Sequence, residues 1–176
     1  MGYEVLESNE TYKGKILRVT IDKIEMPDGK PAFRETVIRE KSAAAVLPIM
    51  NDGKLLFVRQ YRHAFAASLL EIPAGVLNDC EVPELCIRRE LEEETGYKAG
   101  KMEYLCEIYP TVGFCSETIF LYFAYDLTQG HQSLDPDEFI ELESYTPEEA
   151  LAMVYAGEIK DAKTIVTLFA YKNKYI

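Results

Sequence analysis

The first regular pattern of hydrophobic and polar residues runs from Tyr12 to Met26. Polar residues separate its apolar side chains, which are Ile16, Val19, Ile21 and Ile24. This spacing is typical of a β-strand with one buried face. A Pro-Asp-Gly turn at 27–29 follows, so Phe33–Arg39 is predicted to be the return strand of a hairpin.

A second pair of strands is predicted next. Residues 43–50 form a short apolar run, which favours a buried strand, and residues 54–60 form its partner after an Asn-Asp-Gly turn. The apolar run is far shorter than the roughly 20 residues that span a bilayer. We therefore expect a β-rich N-terminal third and no membrane association.

Helices are predicted in the rest of the chain. Pro83 suits the first turn of a helix that runs to Thr95, and Gly96 can supply its left-handed stop. The capping box at 146–149 opens a second helix, which continues to Tyr155. Asp161 can cap a third helix that ends near residue 171.

Two further strands, at 104–109 and 118–127, are predicted around a loop at 110–117 that is long enough to carry functional residues. Residues 129–137 are predicted to be the most mobile loop. The element order gives an α+β fold class, with a mixed sheet packed between helices.

Charge and cysteine content narrow the function. The net charge of −11 argues against nucleic-acid binding, which needs clustered basic residues. An anionic substrate would need an accompanying cation. The four cysteines are scattered without a Cys-x-x-Cys pair, which argues against a zinc site and favours reduced thiols in the cytoplasm.

Three carboxylates crowd one edge of the first predicted helix. Glu90, Glu93 and Glu94 fall within an arc of about 100°, in the last turns, where the helix dipole disfavours anions. Arg89 lies within ion-pair reach of Glu93. Either this edge is a solvated acidic face, or a hard divalent cation such as Mg²⁺ or Mn²⁺ offsets the repulsion.

The spacing of seven residues around this helix resembles the signature box of the Nudix hydrolase superfamily. These residues are Gly75, Glu81, Arg89, Glu90, Glu93, Glu94 and Gly96. The resemblance implies a Nudix fold, an α/β/α sandwich, and hydrolysis assisted by two or three Mg²⁺ ions, with Mn²⁺ as a substitute.

Roles for individual residues follow from that resemblance. Glu90 and Glu94 are expected to bind metal, together with the backbone carbonyl of Ala74. Glu93 is a further ligand or the catalytic base. Arg89 is expected to orient the cluster by ion pairing, helped by Glu81.

Four short segments resemble the ADP-ribose pyrophosphatase branch: Gln60–Arg62, Glu71–Gly75, Gly113–Glu117 and Gly157–Thr164. Val112 departs from that branch, which commonly has proline before the loop glycine. The preferred sugar and base therefore stay open.

The branch resemblance also implies contacts outside the box. Arg62 is expected to contact substrate, unless it is a surface cation. Glu117 is an alternative to Glu93 as the base. In this branch residues 1–40 form a small antiparallel β region, ahead of a Nudix domain at 41–176, that is exchanged across a homodimer. Phe33 and Arg34 of that region are expected to contact the partner's substrate, unless they are ordinary strand residues.

The expected activity is Mg²⁺-dependent hydrolysis of the pyrophosphate bond of a nucleotide sugar, with ADP-ribose giving AMP and ribose 5-phosphate. One alternative is a Nudix hydrolase acting on another nucleoside diphosphate derivative. A second alternative, of a different class, is a Nudix-fold sensor that binds a ligand without cleaving it.

Overall fold

Strands predominate in the computed structural model of the protein, which describes residues 2–175. The strands are β1 (Glu4–Lys13), β2 (Arg18–Glu25), β3 (Pro31–Ile38), β4 (Ala43–Pro48), β5 (Leu55–Arg62), β6 (Ala67–Glu71), β7 (Ala74–Val76), β8 (Tyr97–Ile108), β9 (Ile119–Gln129) and β10 (Ile140–Tyr145). The helices are α1 (Pro83–Thr95), α2 (Pro147–Tyr155) and α3 (Ala162–Tyr175). The α+β class is as predicted.

The chain divides into two compact units. The first contains the residues up to Ser42 together with Tyr109–Thr118, and the second contains 43–108 and 119–176. The first unit is an antiparallel sheet in the order β1-β2-β3. The loop at 109–118 belongs to it because Cys115 bridges to Val37.

The single strand predicted from Tyr12 to Met26 is wrong. The chain turns between β1 and β2, where the amide of Gly14 donates to the carbonyl of Leu17 at 2.9 Å. All ten residues of β1 are exposed. Because neither face of β1 is buried within the chain, its sequence has no apolar alternation that could have predicted it.

The second unit holds two sheets. The order β7-β4-β9-β8 is mixed, since β4 and β9 run parallel, whereas β10-β5-β6 is antiparallel. The hydrophobic pattern did not predict β6, β7 or β10. It also placed the start of β8 at Tyr104, although this strand begins at Tyr97.

Strand β4 explains the layered core of this unit. All six of its residues are buried. Ala44 and Val46 pack with the α1 residues Ile87 and Leu91. The alternate residues of β4 pack in a second cluster that includes residues of α2 and α3. A strand that is buried on both faces has apolar residues at consecutive positions, which explains the continuous apolar run in the sequence.

Helix α1 begins and ends as predicted. Pro83 opens it, and Gly96 closes it with φ 72°, its amide donating to the carbonyl of Glu92 at 2.8 Å. The capping box of α2 also forms, between Thr146 and Glu149. Within residues 2–175, no helix is long and apolar enough to cross a membrane.

Candidate active site

Arg89 is the centre of an ion-pair cluster on α1. Its Nη1 donates to Glu90 at 2.7 Å and to Glu93 at 2.8 Å. Its Nε and Nη2 donate to the two carboxylate oxygens of Glu81 at 3.2 and 3.1 Å. The hydrogen bond to Glu81, followed by those to Glu90 and Glu93, raises the pKa of Arg89. Arg89 therefore stays charged and holds all three carboxylates.

Glu90 occupies the space next to Gly75. A Cβ atom at position 75 would overlap the Glu90 carboxylate. Burial raises the pKa of Glu90, and the ion pair with Arg89 opposes that shift. Position 75 therefore has to be glycine if the Glu90 carboxylate is to stay in this place.

Glu94 is the buried carboxylate of the group. Glu94 is 3% exposed, and its Oε2 accepts a hydrogen bond from the amide of Ala74 at 3.2 Å. Burial, followed by the negative charge of Glu90, raises the pKa of Glu94 to about 8. A buried carboxylate without a cation partner is unfavourable unless it is protonated.

Ala74 is held against the same helix by its own strand. It begins β7, which pairs antiparallel with β4, where Ala45 is its partner. The preceding carbonyl of Pro73 accepts a hydrogen bond from Val46 at 3.0 Å. Two predicted metal ligands, the carbonyl of Ala74 and the carboxylate of Glu94, are therefore neighbours, because the amide of Ala74 donates to that carboxylate.

Within residues 2–175, no three His, Cys, Asp or Glu side chains are grouped so that they could hold a metal ion. Glu90 and Glu93 are turned to Arg89 instead, and Glu94 is turned to Ala74. The donor chemistry nevertheless fits a hard divalent cation, because carboxylate oxygens are available and the Glu94 charge is buried.

Arg62 is bound to a carboxylate at the end of β6. Its Nε and Nη2 donate to Glu71 at 2.7 and 2.8 Å, in a bidentate pair. Although burial pushes the pKa of Glu71 upward, hydrogen bonds and charge from Arg62 and Lys163 outweigh it and lower that pKa. The Arg62 side chain is 39% exposed, so it still faces solvent on one side.

Three predicted site residues lie in the first unit. Glu117 pairs with Arg39 at 3.6 Å. Phe33 and Arg34 lie on β3, where Phe33 is 67% exposed and Arg34 donates to the Phe33 carbonyl at 2.9 Å. Their expected roles in substrate binding and catalysis stay predictions.

Sequence reasoning missed Glu138. Burial is the main cause of the raised pKa of both Glu90 and Glu94, and the negative charge of Glu138 adds to it, so Glu138 lies within electrostatic reach of both. The loop that carries it is attached to the end of α1, where Gln132 donates to the carbonyl of Glu94 at 2.7 Å. The sequence signal next to Glu138 was the polar loop at 129–137. That loop was predicted to be mobile, not to be bonded to α1.

Comparison with known proteins identifies the class to which this fold and cluster belong. A model of the NUDIX domain matches residues 32–168. The chain belongs to the NUDIX family. A crystal structure described as an ADP compounds hydrolase matches with a TM-score of 0.90 and 18% identity, covering 98% of this chain and 94% of that one. At that identity the match shows the Nudix fold alone.

Two bacterial relatives match almost end to end. The methanol dehydrogenase activator of Bacillus methanolicus is 36% identical over 167 residues, covering 94% of this chain and 90% of the relative. The ADP-ribose pyrophosphatase of Bacillus subtilis (strain 168) is 35% identical over 175 residues, covering 98% of this chain and 91% of the relative.

Proposed function

We propose that this protein hydrolyses the pyrophosphate bond of a nucleotide sugar, and that ADP-ribose is its substrate, giving AMP and ribose 5-phosphate. The observation that carries the proposal is the cluster in which Arg89 holds Glu81, Glu90 and Glu93 beside the buried Glu94. Crowded carboxylates on one edge of a helix are unfavourable by themselves and suit a site for cations. The match to an ADP-ribose pyrophosphatase supports this choice of substrate.

Nudix hydrolases generally use divalent metal ions. In this chain Glu90, Glu93, Glu94 and the carbonyl of Ala74 would hold them, and we propose that the ions are two or three Mg²⁺. Bound there, the ions would neutralise the diphosphate charge and lower the pKa of a coordinated water. This would also let a protein of net charge −11 accept an anionic substrate.

The chain's own residues then have three tasks. Arg89 holds the carboxylates in place, and Arg62 binds the substrate with the side of its guanidinium that faces solvent. A carboxylate removes the proton from the attacking water. Glu93 and Glu117 are the predicted candidates for this base. Glu138 is a third, because its loop is bonded to the end of α1 through Gln132 and the Glu94 carbonyl, within electrostatic reach of Glu90 and Glu94.

The assembly we propose is a homodimer formed through the first unit, with Phe33 and Arg34 contacting the substrate of the partner. Strand β1 supports it, because a ten-residue strand at the edge of a sheet with every residue exposed suits a further partner. The four cysteines are free thiols. Free thiols suit the cytoplasm, where we place the enzyme.

A hydrolysis screen with Mg²⁺ tests the reaction. The panel contains ADP-ribose, other nucleotide sugars, dinucleoside polyphosphates and nucleoside triphosphates, and the products are identified by chromatography. We expect AMP and ribose 5-phosphate from ADP-ribose, and a loss of turnover by orders of magnitude in Glu94→Gln. Preferred cleavage of another compound would change the substrate, and tight binding without cleavage of any compound would make the protein a sensor.

The name of the Bacillus methanolicus relative raises a second candidate, activation of a dehydrogenase. Hydrolysis is favoured because the Arg89 cluster supplies groups for it directly. Adding the protein to a purified methanol dehydrogenase, with and without Glu94→Gln, separates the two roles. Activation that survives this substitution would show a function independent of hydrolysis.

A further inference from the structure

The segment Gly157–Thr164 has no part in the chemistry proposed above, yet its last residues are buried. Lys163 is 7% exposed and Thr164 is fully buried. Both lie in the first turn of α3, and both contact the chain at the end of β6. A lysine is almost never this buried unless it is paired, so its partners indicate what the segment does.

Lys163 has two carboxylate partners. Its Nζ lies 2.5 Å from Oε2 of Glu71 and 3.0 Å from Oδ2 of Asp161. Thr164 extends the network, since its hydroxyl donates to Asp161 at 2.6 Å and accepts from the amide of Ile72 at 2.9 Å. The start of α3 is thereby fixed to the backbone just after Glu71.

Glu71 is therefore shared by two cations. Its Oε1 accepts from Nε of Arg62, and its Oε2 accepts from both Nη2 of Arg62 and Nζ of Lys163. The residue is 2% exposed. With one oxygen held from two sides, the plane of the carboxylate is fixed, and the guanidinium that is bound to it in bidentate fashion is fixed with it.

Stability alone is a weak reason for this arrangement. Burying a lysine costs desolvation and side-chain entropy, and apolar residues of the same volume often stabilise a fold as well or better. Substrate binding, in contrast, would benefit from a fixed orientation of Arg62. Its Nη1 makes no hydrogen bond to any residue in 2–175, and the side chain is 39% exposed.

We propose that Lys163 is a positioning residue, which acts through Glu71 to orient the guanidinium of Arg62 toward the substrate. The inference rests on the proposed function and deepens it, because it gives the buried Lys163 a part in substrate binding. Lys163 itself does not touch the substrate. Its effect is to keep Arg62 in one orientation before the substrate arrives, which lowers the cost of binding.

The first test is the steady-state kinetics of Lys163→Met with ADP-ribose and Mg²⁺. Because Arg62 is proposed to bind rather than react, KM should rise about tenfold, while kcat stays within about twofold. Lys163→Arg, which keeps the charge and the reach, should restore most of the KM. The matched control is Lys160→Met, which removes the same charge from an exposed position three residues away and should leave KM unchanged.

A double-mutant cycle separates positioning from a general structural effect. If Lys163 acts through Arg62, then Lys163→Met should raise KM little further in an Arg62→Ala background. The same rise in KM in both backgrounds would overturn the proposal. Thermal melting monitors folding, and Lys163→Gln replaces Lys163→Met in the cycle if the methionine variant is unfolded at the assay temperature.

Isothermal titration with the non-hydrolysable α,β-methylene analogue of ADP-ribose measures binding independently of turnover. A wild-type protein that binds the analogue but hydrolyses nothing would refute the proposed reaction and leave the Lys163 comparison intact. Equal analogue affinity in the wild type and Lys163→Met would refute the positioning role alone. A wild-type protein that does not bind the analogue would overturn both.

Discussion

At the scale of single residues, Gly75 shows why a box residue without functional groups is part of the site. A Cβ atom there would overlap the Glu90 carboxylate. Because that carboxylate ends a flexible side chain, the fold can tolerate the overlap, but the proposed metal ligand would have to move.

Gly75→Ala should therefore lower kcat/KM by about 100-fold through misplacement of Glu90. The free energy of unfolding, measured by urea denaturation, should change by a much smaller fraction than kcat/KM does. Val76→Ala is the control, since it lies on the same strand with an exposed side chain and should keep its activity. A Gly75→Ala enzyme of wild-type rate would show that Glu90 is not needed where the structure places it.

The identity of the general base is also decided at the scale of single residues. Glu93, Glu117 and Glu138 are the three candidates, and each is tested by its glutamine variant. Loss of a general base should lower kcat by about 10²- to 10⁴-fold with a much smaller effect on KM.

We expect the largest loss in kcat from Glu138→Gln, because the loop that carries it is bonded to the end of α1, where Gln132 donates to the carbonyl of Glu94, and because its charge reaches Glu90 and Glu94. Asp137→Asn is the control, an exposed acidic residue of the same loop. A mild effect of Glu138→Gln beside a severe effect of Glu93→Gln would move the base to α1. A severe effect of Glu117→Gln alone would move it to the loop at 110–117.

At the scale of elements, the end of α1 and the loop after β9 depend on each other. The amide of Ser133 donates to the carbonyl of Glu93 at 2.9 Å, and the amide of Gly130 donates to the carbonyl of Gly96 at 2.7 Å. These bonds satisfy carbonyls that a helix end leaves free. The helix that carries the glutamates and the loop that carries Glu138 are thus joined through the backbone.

Two glycines test this connection as a matched pair. Gly96 and Gly157 have nearly the same φ, 72° and 74°, but a Cβ at Gly96 would lie 3.2 Å from the amide of Gln132, whereas Gly157 has nothing within 4 Å. Gly157→Ala should cost about 1 kcal/mol of unfolding free energy through backbone strain alone.

Gly96→Ala should cost more than Gly157→Ala in urea unfolding and should also lower kcat, because the added methyl group pushes against the loop that carries Glu138. Gly157→Ala should keep the wild-type kcat. Equal losses of stability with no change in kcat would show that the loop does not need its attachment to the end of α1.

At the scale of the whole molecule, the exposed apolar residues of the first unit are the feature that calls for a partner. They include Tyr3, Val5, Leu6, Tyr12, Ile16 and Phe33. A three-stranded sheet has little hydrophobic surface to bury by itself. A second copy of the chain can cover the surface that this sheet leaves exposed.

Sedimentation equilibrium at micromolar concentration should give twice the monomer mass of 20.1 kDa. We expect residues from Tyr12 to Arg39 to contribute to the interface. Ile16→Asp should shift the protein toward the monomer, since it places a charge on an apolar side chain that is 65% exposed. Lys15→Gln lowers the net charge equally and should leave the dimer intact. A wild-type mass of 20.1 kDa would remove the proposed assembly.

Features that depend on near neighbours could be predicted from the sequence alone. Pro83 and Gly96 define the ends of α1 through backbone geometry, and the pairing of Arg89 with Glu93 follows from their spacing of four residues. The continuous apolar run of β4 likewise predicted a buried strand. These are local or periodic signals, so they can be found without knowing what lies opposite.

Which distant groups meet could be known only from the folded chain. Glu71 and Lys163 are 92 residues apart, and neither residue type nor spacing indicates that they share a buried ion pair. The burial of Glu94 and the electrostatic effect of Glu138 on it likewise depend on packing between separate elements. Local pattern predicts an element because its hydrogen bonds are local, whereas the partner of a buried charge is fixed by the fold.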